Sequence, residues 1–211
     1  MMIKKHDFIQ VEYTGKLEDG TIFDTTNEEV AKKSQVHNQK MSYGPITICV
    51  GERQIVKGLD DGLVDKEVGK DYTFEIEAEN AFGKKDAKLI KLVPTSAFKE
   101  QKIQPFVGLE INLDGQYGLI RSVNGGRTLV DFNHPLSGKK VIYEVKTVKK
   151  VEDAKEKVDS MLSLTLNISS PKTEVKGDEL KINEEIPEPF REVLTGKITE
   201  VVKDIKKVSY K

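Results

Sequence analysis

Tyr13, Phe23 and Asp24 fall in one short stretch, Val11-Glu12-Tyr13-Thr14-Gly15-Lys16-Leu17-Glu18-Asp19-Gly20-Thr21-Ile22-Phe23-Asp24. The stretch alternates apolar and polar residues, turns at Asp19-Gly20 and alternates again. This predicts a β-hairpin that brings the three side chains together. Aromatic rings beside a single carboxylate suit the holding of an extended peptide. The rest of the chain offers no competing chemistry. His6, His37 and His134 are far apart, and no Cys or carboxylate spacing completes a metal site around them. Asn124-Gly125-Gly126-Arg127 lacks both the GK[ST] of a phosphate loop and a following helix, so it reads as a hairpin turn. Serines and threonines near histidines show no triad pattern. Neither metal nor cofactor is expected.

The elements that must position these side chains are mostly strands. Ile3–Leu17 and Thr21–Thr25 form the hairpin, and Thr26-Asn27-Glu28-Glu29 fits a capping box with Thr26 as N-cap. Ile46–Val50 is β-branched and precedes Gly51, as a strand would. Cys49 within it reads as a small buried hydrophobe. Gln54–Val64 predicts a short helix with Ile55, Leu59 and Leu63 on one stripe. Tyr72–Ala78 alternates as a strand with Tyr72, Phe74 and Ile76 inward. A β pattern follows over Leu89–Val93, Leu109–Leu113, Tyr117–Val123 and Arg127–Phe132, with turns at Asp114-Gly115 and Asn124-Gly125 and a capped helical turn at Thr95–Phe98. Val141–Val145 is a further strand. Beyond Val151 the chain turns Lys/Glu-rich. It predicts helices from Ala154 and over Pro187–Lys203, a hairpin around Gly177-Asp178 and a closing strand at Ile205–Tyr210.

Composition sets the outer bounds. The chain has 211 residues, of which 37% are hydrophobic and 33% charged, so a real core must sit beneath a densely charged surface. A net charge of -1 supplies no field toward nucleic acid or an anionic membrane. No apolar run approaches the roughly 20 residues needed to span a bilayer. The first residues lack a signal-peptide core, and a lone Cys49 forms no internal disulfide. A reducing cytoplasm is therefore the expected location.

Three motifs resemble the FK506-binding proteins (FKBPs), which are peptidyl-prolyl cis/trans isomerases. The hairpin resembles their V-x-Y-T-G-x-L-x-D-G-x-x-F-D block. Val50–Leu63 is similar to their G-x-x-x-[VI]-[IV]-x-G-[WL]-[DE]-x-[GA]-[LV] helix, and Ala81-Phe82-Gly83 to their A-[YF]-G flap entrance. With the strand to Val145, the resemblance spans roughly residues 3–152. Between the flap entrance and Val141 lies chain enough for a small β domain. It resembles the insert-in-flap of SlyD-like FKBPs, and Asn133-His134-Pro135-Leu136-Ser137-Gly138 resembles the block that leads out of that insert. The tail resembles the C-terminal extension of long archaeal FKBPs.

The resemblance implies an α+β fold, an antiparallel half-barrel sheet wrapped on a short helix. The isomerase domain would cover 1–86 and 132–152, the insert 87–131, and a C-terminal α/β domain 153–211. It implies a pocket walled by Tyr13, Phe23, Ile46, Ile55, Val56, Leu59, Phe82 and Tyr143. The Val56 N–H would serve as donor to the substrate, and Asp24 would orient without transferring a proton. Leu59 stands where Trp is frequent, Ile46 where Phe is, and Phe82 where Tyr is. The Leu59 change bears on macrolide affinity more than on isomerisation, and the Phe82 change removes one hydroxyl hydrogen bond to a bound peptide. The expected function is acceleration of X-Pro isomerisation in folding chains, with the insert holding unfolded polypeptide. The alternative is a binding module with an FKBP fold and little turnover. An apolar stripe in the tail suggests a homodimer; neither nucleic acid nor membrane is an expected partner.

Overall fold

Alternation from Val11 to Leu17 builds most of β1 (Phe8–Leu17), which buries Val11 and Gly15 and turns Glu12, Thr14 and Lys16 the other way, while at its start the adjacent Phe8 and Ile9 are both buried and the pairing with the neighbouring strand shifts between Gln10 and Val11. The computed structural model describes residues 1–100, 102–113 and 115–211, without the Lys99 side chain. Strand β2 (Ile22–Thr25) pairs antiparallel with β1 at Thr14↔Thr25 and Gly15↔Asp24. The turn between them is closed by Asp19, whose Oδ1 accepts the Thr21 N–H at 2.9 Å. Helix α1 (Glu28–Lys33) starts one residue later than the capping box predicts. Asn27 is the N-cap and its Oδ1 accepts the Val30 N–H at 3.0 Å. The Thr26 hydroxyl is occupied elsewhere, accepting the Tyr13 N–H at 2.9 Å.

Strand β3 (Ile46–Cys49) pairs with β1 from Phe8↔Cys49 to Val11↔Ile46. Helix α2 (Lys57–Leu63) is shorter than the predicted Gln54–Val64. Its start is set by the Gln54 and Asp60 side chains, which capture main-chain amides of residues 49–53. Strand β4 (Asp71–Ile76) directs Tyr72, Phe74 and Ile76 inward, as the alternation predicts. A Cβ on Gly62 would stand 2.8 Å from the Phe74 ring, so glycine there lets α2 lie against β4. Leu59 and Leu63 of α2 are buried, worth roughly 1.5–3 kcal/mol each.

Phe82–Lys139 forms a compact unit of its own. It holds β5 (Ile90–Pro94), α3 (Thr95–Glu100), β6 (Glu110–Leu113), β7 (Gln116–Asn124) and β8 (Arg127–Asp131). The strands form an antiparallel sheet in the order β5-β8-β7-β6 around Phe98, Ile111, Ile120 and Val130. The Asn124-Gly125 hairpin turn is present, joining Asn124↔Arg127; Asp114, of the other expected turn, lies outside the described residues. This unit extends beyond the predicted 87–131 at both ends.

Met1–Ala81 and Lys140–Lys211 form the second unit. Strand β9 (Val141–Lys150) pairs antiparallel with β1 and with β4, giving the order β2-β1-β9-β4 with β3 also on β1. The remainder comprises α4 (Ala154–Leu166), β10 (Thr173–Lys176), β11 (Glu179–Ile182), α5 (Glu188–Val201) and β12 (Lys207–Tyr210), with β11 and β12 parallel. The tail does not stand as a third unit. Phe8 of β1 and Cys49 of β3 share one core with Val158, Leu162, Leu180, Ile182, Ile198 and Val202. About 60 residues bury too little surface to stand alone with ease. Here the start of β1 and the end of β3 complete the core. The fold is α+β, an antiparallel half-barrel sheet on a short helix, with an inserted β unit and a C-terminal extension. Among the described residues, no helix is long and apolar enough to cross a membrane.

Candidate active site

Pairing of β1 with β2 and β9 places Tyr13, Phe23, Asp24 and Tyr143 in one cluster. The Tyr13 hydroxyl donates to Asp24 Oδ2 at 2.9 Å. The Tyr143 ring meets Tyr13 edge-on at 5.7 Å and Phe23 edge-on at 5.8 Å. Burial, followed by the charge of Asp24, holds both tyrosine hydroxyls well above their ordinary range. Tyr13 is thus a hydrogen-bond donor at any physiological pH. Its main chain is pinned as well, because the Thr26 N–H and the Thr25 hydroxyl donate to the Tyr13 carbonyl at 2.9 and 3.1 Å.

Phe74 is the cross-strand partner of Tyr143, so both rings sit on the sheet face that α2 covers. Leu59 is buried on that face, and Ile46 is half-buried on β3 opposite Val11. Ile55 and Val56 are half-buried in the segment leading into α2. Val56 is the N-cap, and its carbonyl accepts the Leu59 and Asp60 N–H groups, both at 3.0 Å. An N-cap N–H lies outside the helical ladder. Among the described residues no hydrogen bond takes up the Val56 N–H.

Asp60 explains the late start of α2. It is 1% exposed, and its carboxylate accepts the Gly51 and Arg53 N–H groups at 2.8 and 2.9 Å. Gln54 Oε1 accepts the Cys49 N–H at 2.7 Å. Arg53 sits at φ 58°, a left-handed conformation that these contacts hold in place. Residues 51–56 are therefore a clamped loop rather than a first helical turn.

Phe82 begins the inserted unit, where its ring stacks on His134 at 5.0 Å and Ser137 Oγ donates to its carbonyl at 3.1 Å. Asp131 of β8, 3% exposed, accepts Lys85 Nζ at 2.7 Å and Arg121 Nη2 at 3.0 Å. Burial raises its carboxyl's proton affinity, but the hydrogen bonds from Lys85, Asn133 and Arg121 outweigh this and hold it well below the usual carboxylate range. A cavity of about 560 Å³ in the same unit is lined by Ile111, Tyr117, Leu119 and Pro135, with Lys85, Arg121 and Asp131.

Sequence reasoning overlooks Gly15, Asp60 and Asp131. An inward-facing glycine in mid-strand is the readable signal for Gly15, because it marks a close approach. The outward face of the main sheet carries a wide groove of about 790 Å³ lined by Glu12, Thr14, Glu28, Asp71 and Glu144. Its charged walls do not suit a prolyl ring. Among the described residues, no group of three or more His, Cys, Asp or Glu is placed to hold a metal ion.

Residues 1–99 match the family model for "FKBP-type peptidyl-prolyl cis-trans isomerase". Residues 91–136 match one described as "FKBP26, IF domain". The chain is 32% identical over 145 residues to the short-type peptidyl-prolyl cis-trans isomerase of Methanocaldococcus jannaschii, covering 69% of this chain and 92% of that one. It is 30% identical over 151 residues to the FKBP-type 16 kDa peptidyl-prolyl cis-trans isomerase of Escherichia coli, with the same coverages. To the FKBP-type isomerase SlyD of Haemophilus influenzae it is 25% identical, covering 70% of this chain and 72% of that one. The chain belongs to the FKBP-type peptidyl-prolyl cis-trans isomerases, of the SlyD-like kind that carries an insert in the flap.

Proposed function

We propose that the chain turns X-Pro bonds in the hollow bounded by Tyr13, Phe23, Ile46, Ile55, Leu59 and Tyr143, while the inserted unit holds unfolded polypeptide nearby. The observation that carries the first part is the contact set joining Tyr13, Asp24, Phe23 and Tyr143. Rotation about an X-Pro bond faces a barrier of about 18–20 kcal/mol from amide resonance. The twisted amide has lost charge separation and needs less solvation, so apolar walls favour it over the planar form. The Val56 N–H is a ready donor to the peptide carbonyl, and a preorganised donor favours the twisted state further. Asp24 fixes the Tyr13 hydroxyl and shapes the local field; no bond to the enzyme forms. By the family resemblance, Phe82 is read as a further apolar group for the substrate.

The inserted unit suits polypeptide capture through its exposed apolar side chains. Tyr117 is 78% exposed, Phe106 59% and Leu92 56%. Capture would raise the concentration of X-Pro bonds near the pocket. The clients are unfolded or partly folded chains in the cytoplasm. Phe190 and Val193, exposed one turn apart on α5, are the face on which a second copy would dock.

One experiment separates the parts: proline-limited refolding of a protein beside isomerisation of a short X-Pro peptide. Asp24→Ala is expected to slow both at least tenfold. Deleting 87–131 with a short bridge is expected to spare the peptide reaction and abolish the gain on protein. Unchanged turnover in Asp24→Ala refutes the pocket assignment. Equal loss on both substrates after the deletion refutes the capture role. A wild-type protein that suppresses aggregation yet never speeds the slow refolding phase would establish the alternative, an FKBP-fold binding module.

A further inference from the structure

The loop that ends at Val56 is tied down from three sides. Asp60 holds its Gly51 and Arg53 amides, and Gln54 reaches back to Cys49. The third tie comes from outside the matched family regions, which end at residue 136. Glu52, whose side chain is 6% exposed, forms a close ion pair with Lys197 of α5, and its Oε1 lies 3.2 Å from His6 Nε2. His6 and Asp7 in turn bracket Val50, the His6 N–H donating to the Val50 carbonyl at 2.8 Å and the Val50 N–H to the Asp7 carbonyl at 2.9 Å.

A carboxylate this deep needs a partner, because leaving it unpaired costs far more than the pair itself yields. Without Lys197 the Glu52 carboxylate would keep only the His6 contact on Oε1 and lose the partner of Oε2, and its main chain belongs to the loop that presents the Val56 N–H. The carboxylate's hydrogen bond also holds the Lys197 ammonium above the ordinary lysine range, so the tie persists across physiological pH.

We propose that Glu52 and Lys197 are positioning residues for the isomerase pocket, through which α5 of the C-terminal segment braces the 51–56 loop. The tail is then part of the catalytic apparatus, although it supplies no group that touches substrate. The inference rests on the pocket reading given above, in which Val56 is the donor.

The test compares full-length Lys197→Met and Lys197→Arg with wild type, reading amide hydrogen exchange over residues 51–56 and kcat/KM on an X-Pro peptide. Lys197 is 44% exposed, and Met keeps the apolar stem in place. Lys197→Met is expected to speed exchange in 51–56 and to lower kcat/KM about fivefold, the factor that roughly 1 kcal/mol represents. Lys197→Arg is expected to restore both. Lys197→Gln serves the same comparison if Met costs the fold. Wild-type exchange in Lys197→Met overturns the brace and leaves the pocket reading standing. Faster exchange with unchanged kcat/KM overturns the link from loop to turnover. The pocket reading has its own point of failure, unchanged turnover in Asp24→Ala.

Discussion

Gly15→Ala should disable the pocket through sterics alone. Gly15 faces inward on β1, and a Cβ built there stands 2.8 Å from Phe23 Cζ, 2.9 Å from Phe23 Cε2 and 3.0 Å from Tyr143 Cε1. Ordinary carbon contacts are about 3.5–4.0 Å, so both rings must withdraw by roughly 0.5–1 Å. Gly15 is not among the residues with positive φ, so alanine adds no backbone strain. Tyr143 is 4% exposed and already rests edge-on against Tyr13, so under the pocket reading proposed above the rings retreat into the space meant for the prolyl group. Overpacking of this kind costs about 1–3 kcal/mol. Charged to the bound twisted amide, that is about fivefold to 150-fold in kcat/KM. Peptide isomerisation, followed well below the denaturant midpoint of the same sample, separates this loss from unfolding. Wild-type kcat/KM in a folded Gly15→Ala would show that the Phe23 and Tyr143 rings can shift without consequence, and the pocket reading would fall.

Two further predictions concern the rest of the chain. Asp131 has a folded-state proton affinity below that of an ordinary carboxylate, so its contribution to stability is present above about pH 4 and fades as pH falls through its depressed value. Asp131→Asn should cost the inserted unit about 3 kcal/mol at neutral pH, the low end for a broken buried pair because Lys85 and Arg121 can rehydrate. Amide exchange over 90–131 at pH 7 and pH 3 measures both, and equal protection in variant and wild type at pH 7 would contradict it. Separately, Phe190→Ser with Val193→Ser should turn a dimer into a monomer in sedimentation; a wild-type protein already monomeric at micromolar concentration removes the second copy from the picture.

The strands and the Tyr13, Phe23 and Asp24 cluster were legible because a period of two and one tight turn determine them locally. Helix starts were less so. Thr26 and Asn27 are both good caps, and the choice between them was made by Tyr13, whose main chain takes the Thr26 hydroxyl. Ile55 and Val56 continue the apolar pattern back from α2, yet the Asp60 carboxylate holds the Gly51 and Arg53 amides, Arg53 is left-handed and the Gln54 side chain is turned back to Cys49, so the helix begins only at Lys57. The Asp131 network escapes any local pattern, since its cations come from positions 85 and 121. The tail's dependence on Phe8 and Cys49 is equally non-local. Each of those residues reads as an ordinary inward strand position, and nothing nearby says which neighbour it serves.

The pairing of Ile76 with Val141 has a consequence for how the molecule comes into being. The strand that completes the main sheet is synthesised only after the whole inserted unit. Closing that gap as an unstructured loop of roughly sixty residues carries a sizeable entropy cost. The unit's own ends are joined by the Gly138 N–H donating to the Gly83 carbonyl at 2.8 Å. Once it has folded, the remaining span behaves as a tether of roughly ten residues, which lowers the closure cost by about 1.6 kcal/mol. The chain's connectivity thus favours closing the host sheet after the guest module has set, because the span left to close is then about one sixth as long.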